Sequence, residues 1–120
     1  MVSEMFKKFQ PRSKVWLEQD GRVVLSEWRA ELLLAVEETG SLVAAATKLN
    51  VPHRTAWEKI HQSEKDLGIR LLDTRSGGLV GGRSSLTPEA RELLNRFQSI
   101  TRDLTALVDE RFEKASHSSD

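Results

Sequence analysis

The sequence predicts a mainly α-helical domain with small β-hairpins, and three stretches predict it. Residues 40–72 read as two short helices set across a tight turn. Residues 70–87 read as a glycine-tipped hairpin directly behind them, and residues 88–108 as one long amphipathic helix. A hairpin placed behind a helix-turn-helix is a wing. The expected architecture is therefore a winged helix-turn-helix with a long C-terminal dimerisation helix.

The chain's 120 residues suit one domain with a modest core, small enough that oligomerisation would help its stability. Residues 1–13 are polar and punctuated by Pro11, and read as a flexible lead-in. Residues 14–113 form the winged domain with its dimerisation helix, and residues 114–120, ending in SHSSD, read as a disordered tail. The formal charge is zero, so the basic bias common among nucleic-acid binders is missing from the sum. Its distribution is more telling. Residues 51–85 carry six basic against four acidic side chains, whereas residues 86–120 carry five basic against seven acidic. A positive middle and an acidic C-terminal helix fit a protein that touches phosphate with one face. Cysteine is absent, which excludes disulfide and thiolate–metal scaffolds. No apolar run approaches a membrane span, and the first residues lack a signal peptide's apolar core, so a cytoplasmic location with no membrane partner is expected.

Val15 and Leu17 alternate onto one face of a strand at 14–20, Asp20-Gly21 makes a two-residue hairpin turn, and residues 22–25 return. Ser26 caps a helix whose apolar stripe is Trp28, Leu32, Leu33, Ala35 and Val36, ending at Thr39-Gly40. This helix packs under the helix-turn-helix. Ser41 then caps the next helix, in which Ala44, Ala45 and Ala46 leave a nearly bare surface for a steeply crossing neighbour. Leu49 is its last apolar anchor, Asn50 takes the left-handed conformation that ends it, and Val51 plugs the turn. Pro52 opens the second helix at its first residue, where no N–H is needed. Ala56, Ile60, Ser63 and Leu67 share that helix's inner face. His53, Arg54, Thr55, Glu58, Lys59 and Gln62 make a polar, donor-rich outer face suited to a major groove. An ordinary helical hairpin with a solvated face is the plain alternative, and the sequence that follows favours the groove.

Residues 70–74 and 84–87 read as short antiparallel strands. Between them the tip holds Gly77, Gly78, Gly81 and Gly82, flanked by Arg75 and Arg83, so backbone can approach a phosphate closely. Residues 77–84 also spell G-x-x-x-x-G-R-S, one residue from a phosphate-binding loop. Arginine does not replace the compact ammonium of that motif, and no parallel sheet precedes it. The nucleotide-binding reading is rejected.

Thr87-Pro88 opens the last helix, in which Ala90, Leu93, Leu94, Phe97, Ile100, Leu104, Leu107 and Val108 recur at threes and fours. A lone helix this long cannot bury such a stripe on so small a body, so it is expected to pair with its copy. The dimer interface is assigned to Leu93, Leu94, Phe97, Ile100, Leu104 and Leu107. His53, His61 and His117 lack ligand spacing and read as groove or surface, helix surface and tail. No metal, cofactor or catalytic motif is present, so enzymatic activity is not expected.

Residues 51–74, with the Leu67-Gly68-Ile69-Arg70-Leu71 step and the Leu-Thr-Pro-Glu-Ala start of the last helix at 86–90, resemble the winged helix of LysR-type regulators. The sequence is more similar still to the N-terminal domain of ModE-type, molybdate-responsive regulators. That likeness rests on the K-hydrophobe-W-hydrophobe strand and DG turn at 14–21 and the ETGS-hydrophobe-x-x-A-A step at 38–46. It rests also on the Ala56-Trp57 pair and the GG-x-x-GG wing before Leu86-Thr87. The resemblance covers about residues 14–112. It implies a homodimer, formed through the first and last helices, that reads an inverted repeat in double-stranded DNA for transcription regulation in molybdenum homeostasis. It places the start of the second helix in the major groove and implicates His53, Arg54 and Thr55, with Lys59 on phosphate and Arg75 and Arg83 near the backbone. Ser41 completes the candidate DNA-binding set, while Trp57 is assigned to packing between helices. The chain ends before the oxyanion-binding module of full-length members, so molybdate binding is not expected within it. The rival reading is a winged-helix interaction module that has lost DNA binding, which zero net charge allows.

Overall fold

The computed structural model describes residues 2–75 and 83–118. Nine elements follow in order: α1 (Val2–Phe6), β1 (Trp16–Gln19), β2 (Arg22–Ser26), α2 (Glu27–Thr39), α3 (Leu42–Lys48), α4 (His53–Leu67), β3 (Leu72–Arg75), β4 (Arg83–Leu86) and α5 (Pro88–Ser118). The fold is a winged helix: a helical body, two separate antiparallel hairpins and a long terminal helix.

The first hairpin turns on Asp20 (φ 53°) and Gly21 (φ 79°), both left-handed, as a two-residue turn matching the strands' own twist requires. Its register slips between Leu17 and Glu18, passing from the Leu17–Leu25 pair to the Glu18–Val23 pair. That irregularity lets the neighbours Val24 and Leu25 both be buried, which strict alternation forbids.

Local capping sets the helix ends. The Ser26 hydroxyl accepts from Arg29 N at 3.3 Å and opens α2. Gly40 (φ 76°) closes it, donating its N–H to Val36 O at 2.7 Å. Ser41 then accepts from Ala44 N at 3.1 Å and opens α3, of which Leu42, Ala45 and Ala46 are buried and Ala44 is exposed. Asn50 (φ 56°) makes the left-handed exit, and Val51 N reaches back to Ala46 O at 2.9 Å. Pro52 precedes α4 as its cap rather than serving as its first residue, because its ψ of 136° is still extended.

The core centres on α2, with Leu32, Leu33 and Val36 fully buried against Leu25, Ala45, Ile60 and Leu71. One polar link crosses it. Arg29 Nη1 donates to Ser63 Oγ (2.6 Å) and to Val23 O (2.9 Å), tying α2 to α4 and to the first hairpin. Burial pulls the Arg29 pKa below the ordinary arginine value, and the attraction of Asp66 opposes that pull. Arg29→Ala is expected to cost about 1–3 kcal/mol, because buried Ser63 and the Val23 carbonyl lose their donor. Urea unfolding of wild type and variant measures it.

Asp66 is held on the same side of α4. Gln62 Nε2 donates to both its oxygens at 3.1 Å, and Arg22 Nη1 lies 3.3 Å away. The Gln62 hydrogen bonds, followed by the hydrogen bond and charge of Arg22, hold its pKa below the usual aspartate value. A depressed carboxyl stabilises the fold above the unfolded pKa and loses that contribution as pH falls through the folded one. Asp66→Asn is therefore expected to flatten the acid limb of the stability profile while leaving the neutral region's pH dependence unchanged. Thermal melts from pH 3 to 7 read this out.

The second hairpin pairs Leu72 with Leu86, Asp73 with Ser85, Thr74 with Ser84 and Arg75 with Arg83. Its strands therefore lie one or two residues from the spans the sequence suggests, with the adjacent Leu71 and Leu72 both buried as anchors. Two ties fix it to the body. Glu64 Oε2 accepts from Leu71 N (2.7 Å) and Leu72 N (3.1 Å), and Ser84 N donates to Gly40 O (2.9 Å). Thr87 N closes the hairpin's own base by donating to Leu71 O (3.0 Å).

Thr87 caps α5, accepting from Ala90 N at 3.1 Å. At 1.5 Å per residue, the 31 residues of α5 span about 46 Å. Its buried residues end at Phe97, so the helix runs on beyond the body. The radius of gyration, 18.6 Å, accordingly exceeds the value of about 14 Å for a compact chain of this length.

The two chain ends differ from the sequence expectation. The lead-in contains the short helix α1, and Phe6 makes edge-to-face contacts with Phe9 (5.5 Å) and with Phe112 of α5 (6.3 Å). A long-range aromatic contact fixes it, and no local signal announces such a contact. Helix α5 likewise continues to Ser118 through residues assigned to a disordered tail, with i,i+4 support from Glu110–Lys114 at 2.6 Å. Among the described residues, no helix is long and apolar enough to cross a membrane.

Candidate nucleic-acid interface

Helix α4 turns Ala56, Ile60 and Ser63 into the core, and this fixes what faces out. His53, Arg54, Glu58, Lys59 and Gln62 are exposed and Thr55 is half-buried. His53 and Arg54 open α4 directly after the extended Pro52, and both are exposed. The Arg54 side chain is 90% exposed, and its Nε lies 3.1 Å from Glu58 Oε1. An ion pair so exposed is worth little, so the guanidinium is available to exchange Glu58 for another acceptor. Among the described residues no carboxylate pairs with His53 or Lys59.

The wing adds a second basic locus. Arg75 and Arg83 are register partners on β3 and β4, at the last described positions on either side of the hairpin tip. Arg83 is exposed, beside a shallow dip bordered by Glu37, Glu38 and Asp73. The glycine tip at 76–82, expected to approach phosphate, lies outside the described residues. Ser41 is half-buried at the start of α3, and its hydroxyl is engaged by the helix it caps.

Trp57 overturns a sequence assignment. Expected to pack between helices, it is 48% exposed and stacks on His61. The reason is helical geometry: Ala56 faces the core, and the next residue, about 100° round, points away from it. The three- and four-residue steps from Arg54 to Trp57 and from Trp57 to His61 carried that signal in the sequence.

Two of the residues assigned to a dimer interface are also spent elsewhere. Leu94 and Phe97 are 4% and 2% exposed, inside the chain's own core, because this stretch of α5 lies on α2. Leu93 and Leu104 are partly covered, while Ile100 (48%) and Leu107 (46%) are open to solvent. Beside them an open groove of about 720 Å³ runs between α2, α5 and residues 9–13. No group of His, Asp or Glu side chains that could hold a metal occurs among the described residues.

The chain is similar to known proteins in the same region. Residues 29–91, from the first turn of α2 to the first turn of α5, match the model of the bacterial regulatory helix-turn-helix proteins of the lysR family. The chain is 31% identical over 101 residues to the molybdenum-pterin-binding protein MopB of Rhodobacter capsulatus, covering 84% of this chain and 37% of that protein. It is 31% identical over 74 residues to the transcriptional regulator ModE of Haemophilus influenzae, covering 62% of this chain and 29% of the relative. It therefore spans about a third of the length of these curated relatives. Among solved structures it matches the CbnR_DBD–DNA complex with a TM-score of 0.56 and 27% identity, over 74% of this chain and 95% of that one.

Proposed function

Because this chain belongs to the lysR family of bacterial regulatory helix-turn-helix proteins, we propose that it acts as a homodimer that reads an inverted repeat in double-stranded DNA. As a DNA-binding regulator of the LysR/ModE type, it would place the start of α4 in the major groove and the wing against the adjoining backbone. The observation that carries this reading is the outer face of α4, where exposed His53, Arg54 and Lys59 project from a helix whose inner face is locked into the core. Lys59, Arg75 and Arg83 supply charge to phosphates, and His53, Arg54 and Thr55 supply base contacts. The exposed Ile100 and Leu107, seven residues apart on the projecting part of α5, support a two-fold partner there. The names of the relatives MopB and ModE suggest control of molybdenum-related genes as the setting.

Salt dependence separates this reading from an interaction module. A protein that neutralises several phosphates loses affinity linearly on a log–log plot as salt rises. Fluorescence-anisotropy titrations of a labelled duplex between 50 and 200 mM salt are expected to show at least a tenfold loss. A flat response, or no binding at the lowest salt, would favour the interaction module.

A further inference from the structure

The structure points to Trp57 as a base-reading residue: we propose that its exposed indole takes the C5-methyl group of a thymine in the major groove. The inference rests on the DNA-reading function proposed above. An indole is among the most rewarding side chains to bury, yet Trp57 is half open to solvent. It shares the outward face of α4 with Arg54 and Glu58, one helical turn from the exposed start of the helix.

The ring is held in place there. His61 stacks on it with centroids 3.9 Å apart and planes 24° from parallel. The imidazole is pinned in turn by its Nδ1–H, which donates to the Trp57 carbonyl at 2.9 Å. A ring already held on one side loses little further freedom when a ligand covers the other.

What covers it follows from its chemistry. An indole offers one N–H donor and no acceptor, so most of its open surface needs an apolar partner. Along the major groove the apolar group on the base edges is the thymine methyl. Trp57 therefore distinguishes thymine from cytosine and, by the same contact, thymine from uracil. His61 is a positioning residue for it.

The test uses the full chain and the site it enriches from a random duplex library. Each thymine of that site is replaced singly by deoxyuridine, which removes the methyl group and nothing else. Wild type is expected to lose about three- to tenfold in affinity at one thymine per half-site. Trp57→Ala binds the unmodified site more weakly by a similar factor and no longer distinguishes thymine from deoxyuridine there. Its thermal midpoint stays at the wild-type value, because an exposed ring carries little of the core. His61→Ala narrows the discrimination without abolishing binding. Equal binding of every deoxyuridine duplex by wild type, or discrimination retained in Trp57→Ala, would overturn the assignment. If wild type enriches no sequence, DNA reading itself has failed and the assignment falls with it, an outcome visible before any variant is made.

Discussion

Replacing Ile100 and Leu107 together by glutamate is expected to convert the proposed dimer to a monomer while the domain stays folded. Both side chains are nearly half exposed on the part of α5 that projects past the body, so the core packing of Ala90, Leu94 and Phe97 is untouched. In a dimer, the same positions would be buried against the partner's copies, where four added carboxylates repel one another and resist desolvation. Losing the partner removes one of two linked half-site contacts. Affinity for an inverted repeat is then expected to fall by about 10²–10⁴, the usual gain from linking two sites. Affinity for a single half-site is expected to stay at the wild-type level. Sedimentation velocity reads the first effect and titration of paired and single half-sites the second. A variant that remains dimeric would move the interface away from this stripe, towards the groove between α2 and residues 9–13.

Arg54→Ala and Arg83→Ala are expected to weaken binding in different ways. Arg54 stands at the exposed start of α4, in a solvent-exposed ion pair with Glu58 that a phosphate or base acceptor could replace. A guanidinium donating two hydrogen bonds to guanine is worth about 1–3 kcal/mol, so Arg54→Ala costs that much on the preferred site and relaxes the choice at one base pair. Arg83 lies on the wing, opposite Arg75, where the proposed docking would set it against backbone rather than base edges. Its removal is expected to weaken all sequences together and to reduce the salt slope by about one. Competition titrations with single-base variants at several salt concentrations separate the two. If both variants lose sequence preference alike, the division between reading and anchoring residues is wrong.

The parts of this fold legible in the sequence are those decided by a few neighbouring atoms. Ser26, Ser41 and Thr87 cap helices because a short hydroxyl reaches the free N–H three residues on, wherever the helix lies. Asp20-Gly21, Gly40 and Asn50 adopt left-handed backbone for equally local reasons. The parts that were not legible depend on what lies across space. Phe6 meets Phe112 more than a hundred residues away, so residues 1–13 read as unanchored when considered alone. The apolar stripe of α5 is plain in the sequence, but periodicity does not say whose surface covers it. Leu94 and Phe97 are covered by the chain's own α2, whereas Ile100 and Leu107 are left for something else.

The candidate site shows the same division. The outer face of α4 could be read from the inner one, since Ala56, Ile60 and Ser63 leave His53, Arg54 and Lys59 no inward direction. At Trp57 residue type and position disagree: an aromatic side chain suggests core, while its angular position on the helix says surface. Position outweighed residue type. The stack with His61 could not be read at all, because it depends on side-chain rotamers.

The most direct test of the account is selection of bound duplexes from a random DNA library by the purified chain. The expected result is enrichment of an inverted repeat whose half-sites lie about 34 Å apart, one helical turn or a multiple of it, with a thymine in each half. Recovery of unrelated fragments, or of nothing above the unselected library, would contradict it.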